Sequence, residues 1–310
     1  MRATTAISYR NRGTLSAAAV LACVVLGTAA CGGSSGGTAA AGTLSSSTGA
    51  RGSGPVDVLY AGSLVTLMEK QVAPGFGTAT GYTFRGFSGG STALATQIKG
   101  GVRAADVFVS ASPAADQTLM GAGGKVAWYA TFASSPLVIG YNPKSRFAAD
   151  LTSKPWYSVL TEPGLLLGTT DPATDPKGKL AAQALTDTGT KQNLPALGAL
   201  AIDEKIVFPE ETLVSRLQSG QLDAGFFYSS EARAAGIPTV PVTGEDLKAT
   251  YTVTVVGGAP HEAGAEAFVR YLLGQQGLAA LKQNDFALTT PPKVTGTGVP
   301  AGVADLLPGK

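Results

Sequence analysis

Val56-Asp57-Val58-Leu59-Tyr60-Ala61-Gly62-Ser63-Leu64 is a strand running into a helix. Its first five residues are mostly β-branched, apolar or aromatic, which predicts a strand over 56–60. Leu64, Leu67, Met68 and Val72 then recur at helical spacing. Gly62 and Ser63 fall on the junction. Ser is a natural N-cap there, because its hydroxyl accepts from a free first-turn amide. The same junction offers free amides and the positive end of the helix dipole to an anion. At this point the cap and the anion seat both stand as readings.

The pattern repeats outward along the chain. Strands are predicted over 106–110, 136–141, 165–169, 225–228 and 251–256. Helical spacing returns at Leu94 and Ile98, at Leu213 and Leu217, and at Ala267, Phe268, Tyr271 and Leu272. Strands alternating with helices predict an α/β architecture with mainly parallel sheets. Three more junctions carry glycine or hydroxyl groups. Phe87-Ser88-Gly89-Gly90-Ser91-Thr92 leads into a helix, and Gly168-Thr169-Thr170-Asp171-Pro172-Ala173-Thr174-Asp175-Pro176-Lys177-Gly178 leads into another. Gly225-Phe226-Phe227-Tyr228 delivers a Tyr hydroxyl at a strand end, and Pro209-Glu210-Glu211 opens a helix with acids in its first turn. Asp, Pro and paired Phe are also ordinary turn formers and core residues. Ligands of open α/β sheets bind beyond the carboxyl ends of the strands. Several such ends bearing hydroxyls and amides predict a small ligand with many acceptor oxygens.

Composition narrows the classes. The chain has 310 residues, 44% hydrophobic and only 14% charged, against about 25% charged in an average soluble protein. That excludes disorder over the whole chain. A formal charge of +2 is no basic footprint for nucleic acid. One His cannot build a His-based zinc site, and both Cys lie in the first 31 residues, which excludes a disulfide framework. No cofactor is expected, and nothing signals oligomerisation, so a monomer is expected.

Residues 1–30 read as an export signal. Arg2, Arg10 and Arg12 precede an uncharged apolar run that ends in Thr28-Ala29-Ala30 before Cys31. A single membrane-spanning anchor is the competing reading of that run. A Cys after small residues resembles a bacterial lipobox, which makes Cys31 the expected lipidation site. Val20-Leu21-Ala22-Cys23 is the better local match, but Cys31 is followed by the Gly/Ser tether an anchored domain needs. Removing residues 1–30 takes away three Arg and no acid, which moves the net charge from +2 to −1. Residues 31–55 are the tether, with an r.m.s. span of about 25–30 Å. The folded part is expected to be an exported domain on the extracytoplasmic face, held to the membrane by lipid.

Two extended runs, around 134–143 and 251–258, suggest crossover strands. They would divide the folded part into lobe 1, residues 56–136 and 252–310, and lobe 2, residues 137–251.

In their order, these stretches resemble the molybdate/tungstate-binding proteins of ABC importers. The resemblance rests on Ala61-Gly62-Ser63-Leu64, on Ser91-Thr92-Ala93-Leu94-Ala95-Thr96-Gln97-Ile98 and on Ala105-Asp106-Val107-Phe108-Val109-Ser110-Ala111. It continues through the Asp-Pro-x-x-Asp-Pro-x-Gly run at 171–178, Gly225 to Tyr228, Phe268 to Leu272, and Pro291-Pro292 with Gly296. It implies a two-lobed periplasmic-binding-protein fold (Venus flytrap, type II), each lobe a mixed sheet flanked by helices. That fold closes on one molybdate or tungstate and then docks on ABC permease membrane subunits. The implied ligands are the hydroxyls of Ser63, Ser91 and Tyr228 and the main-chain amides of Lys177 and Glu210. Gly62, Gly90, Asp175 and Gly178 are further candidates at the same turns. Archaeal tungstate binders place a Glu before the Tyr to complete a six-coordinate metal. Phe227 stands there in this chain, so tetrahedral binding by neutral donors is expected. Backbone amides cannot accept, so they disfavour an anion that carries its own proton.

Two alternatives remain. One is a receptor for another small oxyanion such as sulfate. The other is an anchored serine hydrolase, since Gly86-Phe87-Ser88-Gly89-Gly90 matches a nucleophile-elbow pattern. Ser88 and His261 would be its nucleophile and base. Against it, Thr83-Phe84-Arg85 is a poor strand to present that Ser, and His261 sits in a Gly/Pro loop.

Overall fold

The computed structural model describes residues 51–308. The signal segment, Cys23, Cys31 and most of the tether lie outside the described residues. The described chain forms nine strands: β1 (Pro55–Ala61), β2 (Thr83–Gly89), β3 (Val107–Ser110), β4 (Trp128–Tyr141), β5 (Leu167–Gly168), β6 (Ala224–Tyr228), β7 (Thr239–Pro241), β8 (Lys248–Val255) and β9 (Ala287–Gly296).

Strand β1 is buried on both faces, as a strand covered by helices on each side must be. Val56, Val58 and Tyr60 point into the main core with Phe76 and Phe268, while Leu59 points the other way onto Leu94, Ile98 and Phe108. The two-residue period of the strand makes this split. After Ala61 the chain is helical from Gly62 to Thr80, with a 3-10 turn at Gly62–Leu64 and a π turn at Met68–Val72. The predicted cap is corrected here. Ala61 holds the N-cap position and Ser63 lies inside the first turn with no capping bond.

The sheets are mixed rather than mainly parallel. β1 pairs in parallel with β2 and β3, and β5 with β6. β8 runs antiparallel to β3 and to β4. The reason is that β4 runs from one sheet into the other, and the chain must return along it against its outward direction. Through Pro136, β4 pairs with β8 and β9; from Leu137 on, it pairs with β6 and β7. One strand therefore joins two sheets. The second sheet packs Val138 and Phe227 against Leu213, Leu217 and Leu222 on one face. Phe226 and Tyr228 face the main core on the other. Both Phe of the 225–228 run are thus core residues.

Strand β2 departs from the sequence expectation, because Thr83-Phe84-Arg85 does form a strand. It is an edge strand with largely half-buried residues, so it carries polar side chains that a central strand would not. Among the described residues, no helix is long and apolar enough to cross a membrane.

Candidate functional site

The strand-to-helix junctions converge where the two sheets meet. Ser63, Ser91, Asp175, Lys177, Glu210, Tyr228 and Glu231 are all buried. Three hydroxyls there have a proton to give. The Ser91 oxygen accepts from the Ala111 amide at 3.0 Å, which leaves its O–H free. The Ser63 oxygen lies 3.3 Å from Tyr251 OH, which donates to it. Tyr228 OH is buried with no partner at all. Unpartnered buried polar atoms are rare and costly, so Tyr228 OH is a candidate ligand contact.

The charged groups at the site are what sequence reasoning missed. Asp175 caps the helix Pro176–Lys191, and its Oδ1 accepts from the Lys177 amide at 2.7 Å. That amide, expected to serve the ligand, is therefore engaged within its own turn. The Lys177 side chain turns inward and is fully buried. Its Nζ donates to both Glu231 oxygens at 2.9 Å and lies 3.5 Å from Glu210 Oε1. Burial alone would pull this ammonium down; Glu231, Glu210 and Asp175 reverse that and hold it above the usual lysine range.

Glu210 opens the helix Glu210–Gln218, and the Gly62 amide donates to its Oε2 at 2.9 Å. The junction that opened the sequence reading thus holds a carboxylate oxygen from across the cleft. Burial, then the neighbouring Asp175, push the Glu210 carboxyl well above the carboxylate range, although Lys177 opposes this. Asp175 Oδ2 is buried with no donor. Burial also raises Glu231, against the pull of Lys177. Three acids share one lysine, so the expectation of neutral donors alone does not describe these surroundings. Sequence offered little warning. A fully buried lysine is rare, and only the Glu at the third position of the helix Ser229–Ala235 hints at a role, as a partner for the Tyr228 amide at 3.3 Å.

A cleft of about 410 Å³ opens onto this cluster, lined by Ser88, Gly90, Gln97, Asp171, Asp175 and Glu210. Gly90 sits where its two walls touch. A Cβ there would lie 2.5 Å from the Thr174 carbonyl oxygen, and that same oxygen accepts from the Ala93 amide. Gly178 is packed as tightly, with a Cβ position 2.2 Å from the Thr170 carbonyl. A Gly90→Ala variant is expected to fold normally but bind its ligand at least tenfold more weakly, because the walls cannot close. Calorimetric titration beside a circular-dichroism melt checks this.

The hydrolase constellation is not assembled. Ser88 pairs with Tyr60 at the carboxyl end of β1, whereas His261 Nδ1 lies 2.9 Å from Asp106 Oδ2, which in turn accepts from the Asp57 amide. Asp57 and Tyr60 are three strand residues apart, or about 10 Å. Asp57, Asp106 and His261 do bring potential metal-ligand atoms within 4.8 Å of one another. Their oxygens are already engaged, however. Asp106 accepts from the amides of Asp57 and His261, and Arg85 pairs with Asp57. This network ties the start of the helix Glu262–Leu273 to the sheet.

Two mixed sheets joined through β4, with a buried polar site at their junction, make the frame of a two-lobed binding protein. The chain belongs to the bacterial extracellular solute-binding protein family, whose profile matches residues 56–287. It is 31% identical over 219 residues to a Haloferax volcanii protein provisionally named an ABC transporter molybdenum-binding protein. That match covers 70% of this chain and 66% of the relative. It is 30% identical over 257 residues to an uncharacterised solute-binding protein of Halobacterium salinarum, covering 73% and 81%. It is 27% identical over 232 residues to the molybdate/tungstate-binding protein WtpA of Pyrococcus abyssi, covering 58% and 67%. Among solved structures, the periplasmic molybdate-binding protein of Azotobacter vinelandii superposes with a TM-score of 0.59 at 23% identity. That superposition covers 76% of this chain and 99% of that one. The family is one of solute-binding proteins, and the fold is that of the solved periplasmic protein.

Proposed function

We propose that this protein is the receptor of an ABC importer, that it captures molybdate or tungstate between its lobes, and that it delivers the anion to permease subunits. The observation that carries this is the carboxylate oxygen on the Gly62 amide, since that seat takes an oxyanion oxygen from the protein's own chain. Ser63 follows it in the chain, and Ser63, Ser91 and Tyr228 are buried hydroxyls with a proton to give to an acceptor. The binding set is Gly62, Ser63, Ser91 and Tyr228, with the Glu210 amide, at the open first turn of its helix, as a further donor. Lys177 contributes through its side-chain charge rather than its amide. Gly90 and Gly178 allow the close approach, and Asp175 shapes the turn. The names of the relatives support the choice of anion.

Residues 56–136 and 252–310 form one lobe and residues 137–251 the other. The change of partners along β4 between Pro136 and Leu137 supports the first boundary, while the pairing of Lys248–Tyr251 with Ala133–Pro136 moves the return boundary to about residue 248. A dianion touching both lobes favours the closed form through its differential affinity for the two states. Calorimetric titration of the purified protein with molybdate, tungstate, sulfate and phosphate tests the reading. Saturable heat is expected from molybdate or tungstate and little from the other two. A flat response to all four sinks it, and a response to sulfate alone reassigns the ligand.

The mature protein is a lipoprotein anchored through Cys31 on the extracytoplasmic face and acts as a monomer. A Cys31→Ala variant is expected to partition into the aqueous phase on detergent phase separation, while Cys23→Ala stays in the detergent phase. The opposite outcome moves the anchor to Cys23.

A further inference from the structure

We propose that the protein takes up a proton when it binds its dianion, and that Glu210 carries that proton. The inference rests on the oxyanion reading above and concerns the same site.

The geometry leaves little choice. Lys177 is the one cation among the buried groups of the site, and it is committed first to Glu231, with both carboxylate oxygens at 2.9 Å. Its distance to Glu210 is longer, 3.5 Å. Asp175 Oδ1 is held by the Lys177 amide, but Asp175 Oδ2 is buried with no donor. Glu210 lines the same cleft as Asp175 and lays its Oε2 on the Gly62 amide. The groups facing Glu210 come from every packed element: Asp175 and Lys177 from the helix Pro176–Lys191, Glu231 from the helix Ser229–Ala235, Tyr228 from β6, and the Gly62 amide from the opposite wall. Tyr228, and Tyr251 behind it, stay neutral, because burial raises both phenols.

A dianion arriving at Gly62 either displaces the Glu210 carboxylate or sits against it. With Lys177 committed to Glu231, the dianion adds a further like charge beside Glu210 and Asp175, so the Glu210 carboxyl, already pushed up by burial and Asp175, is driven further toward its protonated form. Like charges sharing a dry site cannot all stay ionised, so a proton is taken up. One proton from the solvent removes a negative charge and converts Glu210 into an O–H donor. Asp175 Oδ2 and the anion oxygens are both ready to accept from it. The balance is one dianion and one proton bound per protein.

The experiment is calorimetric titration of the purified protein with molybdate near pH 7 in two buffers of different ionisation enthalpy, PIPES and imidazole. The observed enthalpy is expected to change with buffer in the direction of proton uptake, by an amount that corresponds to up to one proton per molybdate. The affinity is expected to fall up to tenfold per pH unit as pH rises to about 8. In a Glu210→Gln variant the buffer dependence and the pH slope should both collapse. Binding by the native protein with no buffer dependence overturns the proposal while leaving the receptor reading intact. A Glu210→Gln variant that keeps the native proton uptake overturns the assignment to Glu210. If that variant does not fold, Asp175→Asn and the native pH profile decide. No binding of molybdate or tungstate at any pH overturns the proposal and the receptor reading together.

Discussion

A Lys177→Met variant is expected to lose about 3–5 kcal/mol of stability and roughly 10 °C of melting temperature. The side chain is fully buried and is the counter-ion of Glu231 at 2.9 Å, with Glu210 and Asp175 close by. Methionine fills much the same space, so packing is largely kept, and what is lost is the charge. Removing one partner of a buried pair leaves the other as an uncompensated ion, which costs far more than the intact pair contributes. The sign has a control. A Lys177→Met, Glu231→Gln double variant should recover part of the loss, and the double-mutant cycle gives the coupling. The deficit should also shrink in acid, where Glu231 and Glu210 become protonated. Thermal and urea melts check all three. A single variant within about 1 kcal/mol of the native protein would show that Lys177 holds no essential charge.

The second large effect lies away from the ligand. Asp116 is buried beside β8; its Oδ2 accepts from Thr252 Oγ1 at 2.5 Å and its Oδ1 has no partner. Burial pushes this carboxyl up to about 7, against the smaller opposing pull of Thr252 and its own backbone. In the unfolded chain an Asp titrates near 3.9. The folded state therefore holds the proton more tightly over the window between about 4 and about 7, and stability falls as pH rises through it. For this one group the loss is of order 4 kcal/mol by pH 8. An Asp116→Asn variant cannot ionise. It should match the native protein near pH 4 and exceed it at pH 8, and the difference between the two stability profiles isolates Asp116 from the other buried acids. Parallel profiles would mean that the carboxyl ionises as freely in the fold as outside it.

Much of the architecture was legible in the sequence because it is written locally. The 56–60 run has a strand's composition and the 64–72 run a helix's period, and each forms the element predicted. The extended runs around 134–143 and 251–258 belong to β4 and β8, which do pair, but through Ala130–Pro136 against Lys248–Val253, so the two runs themselves are offset and do not face each other. Strand β2 was underrated because an edge strand need not be apolar. Alternation of strands and helices suggested mainly parallel sheets because it does not say which strands cross between sheets; the mixed sheets implied by the resemblance are the ones found.

The site divides along the same line. Ser63, Ser91, Glu210 and Tyr228 stand at strand ends and helix starts, and the sequence by itself determined that these positions carry glycine, amides and hydroxyls. Only the tertiary structure decided which charges meet there. Gly62 and Glu210 are 148 residues apart, and Lys177 and Glu231 are 54 apart. Periodicity, caps and turns act over a few residues and leave a local record. The partner of a buried charge is chosen by which loops the crossing strands bring together, and no neighbouring residue records that choice. Lys177 and Glu210 therefore read as backbone amides at two helix starts until the fold closes around their side chains.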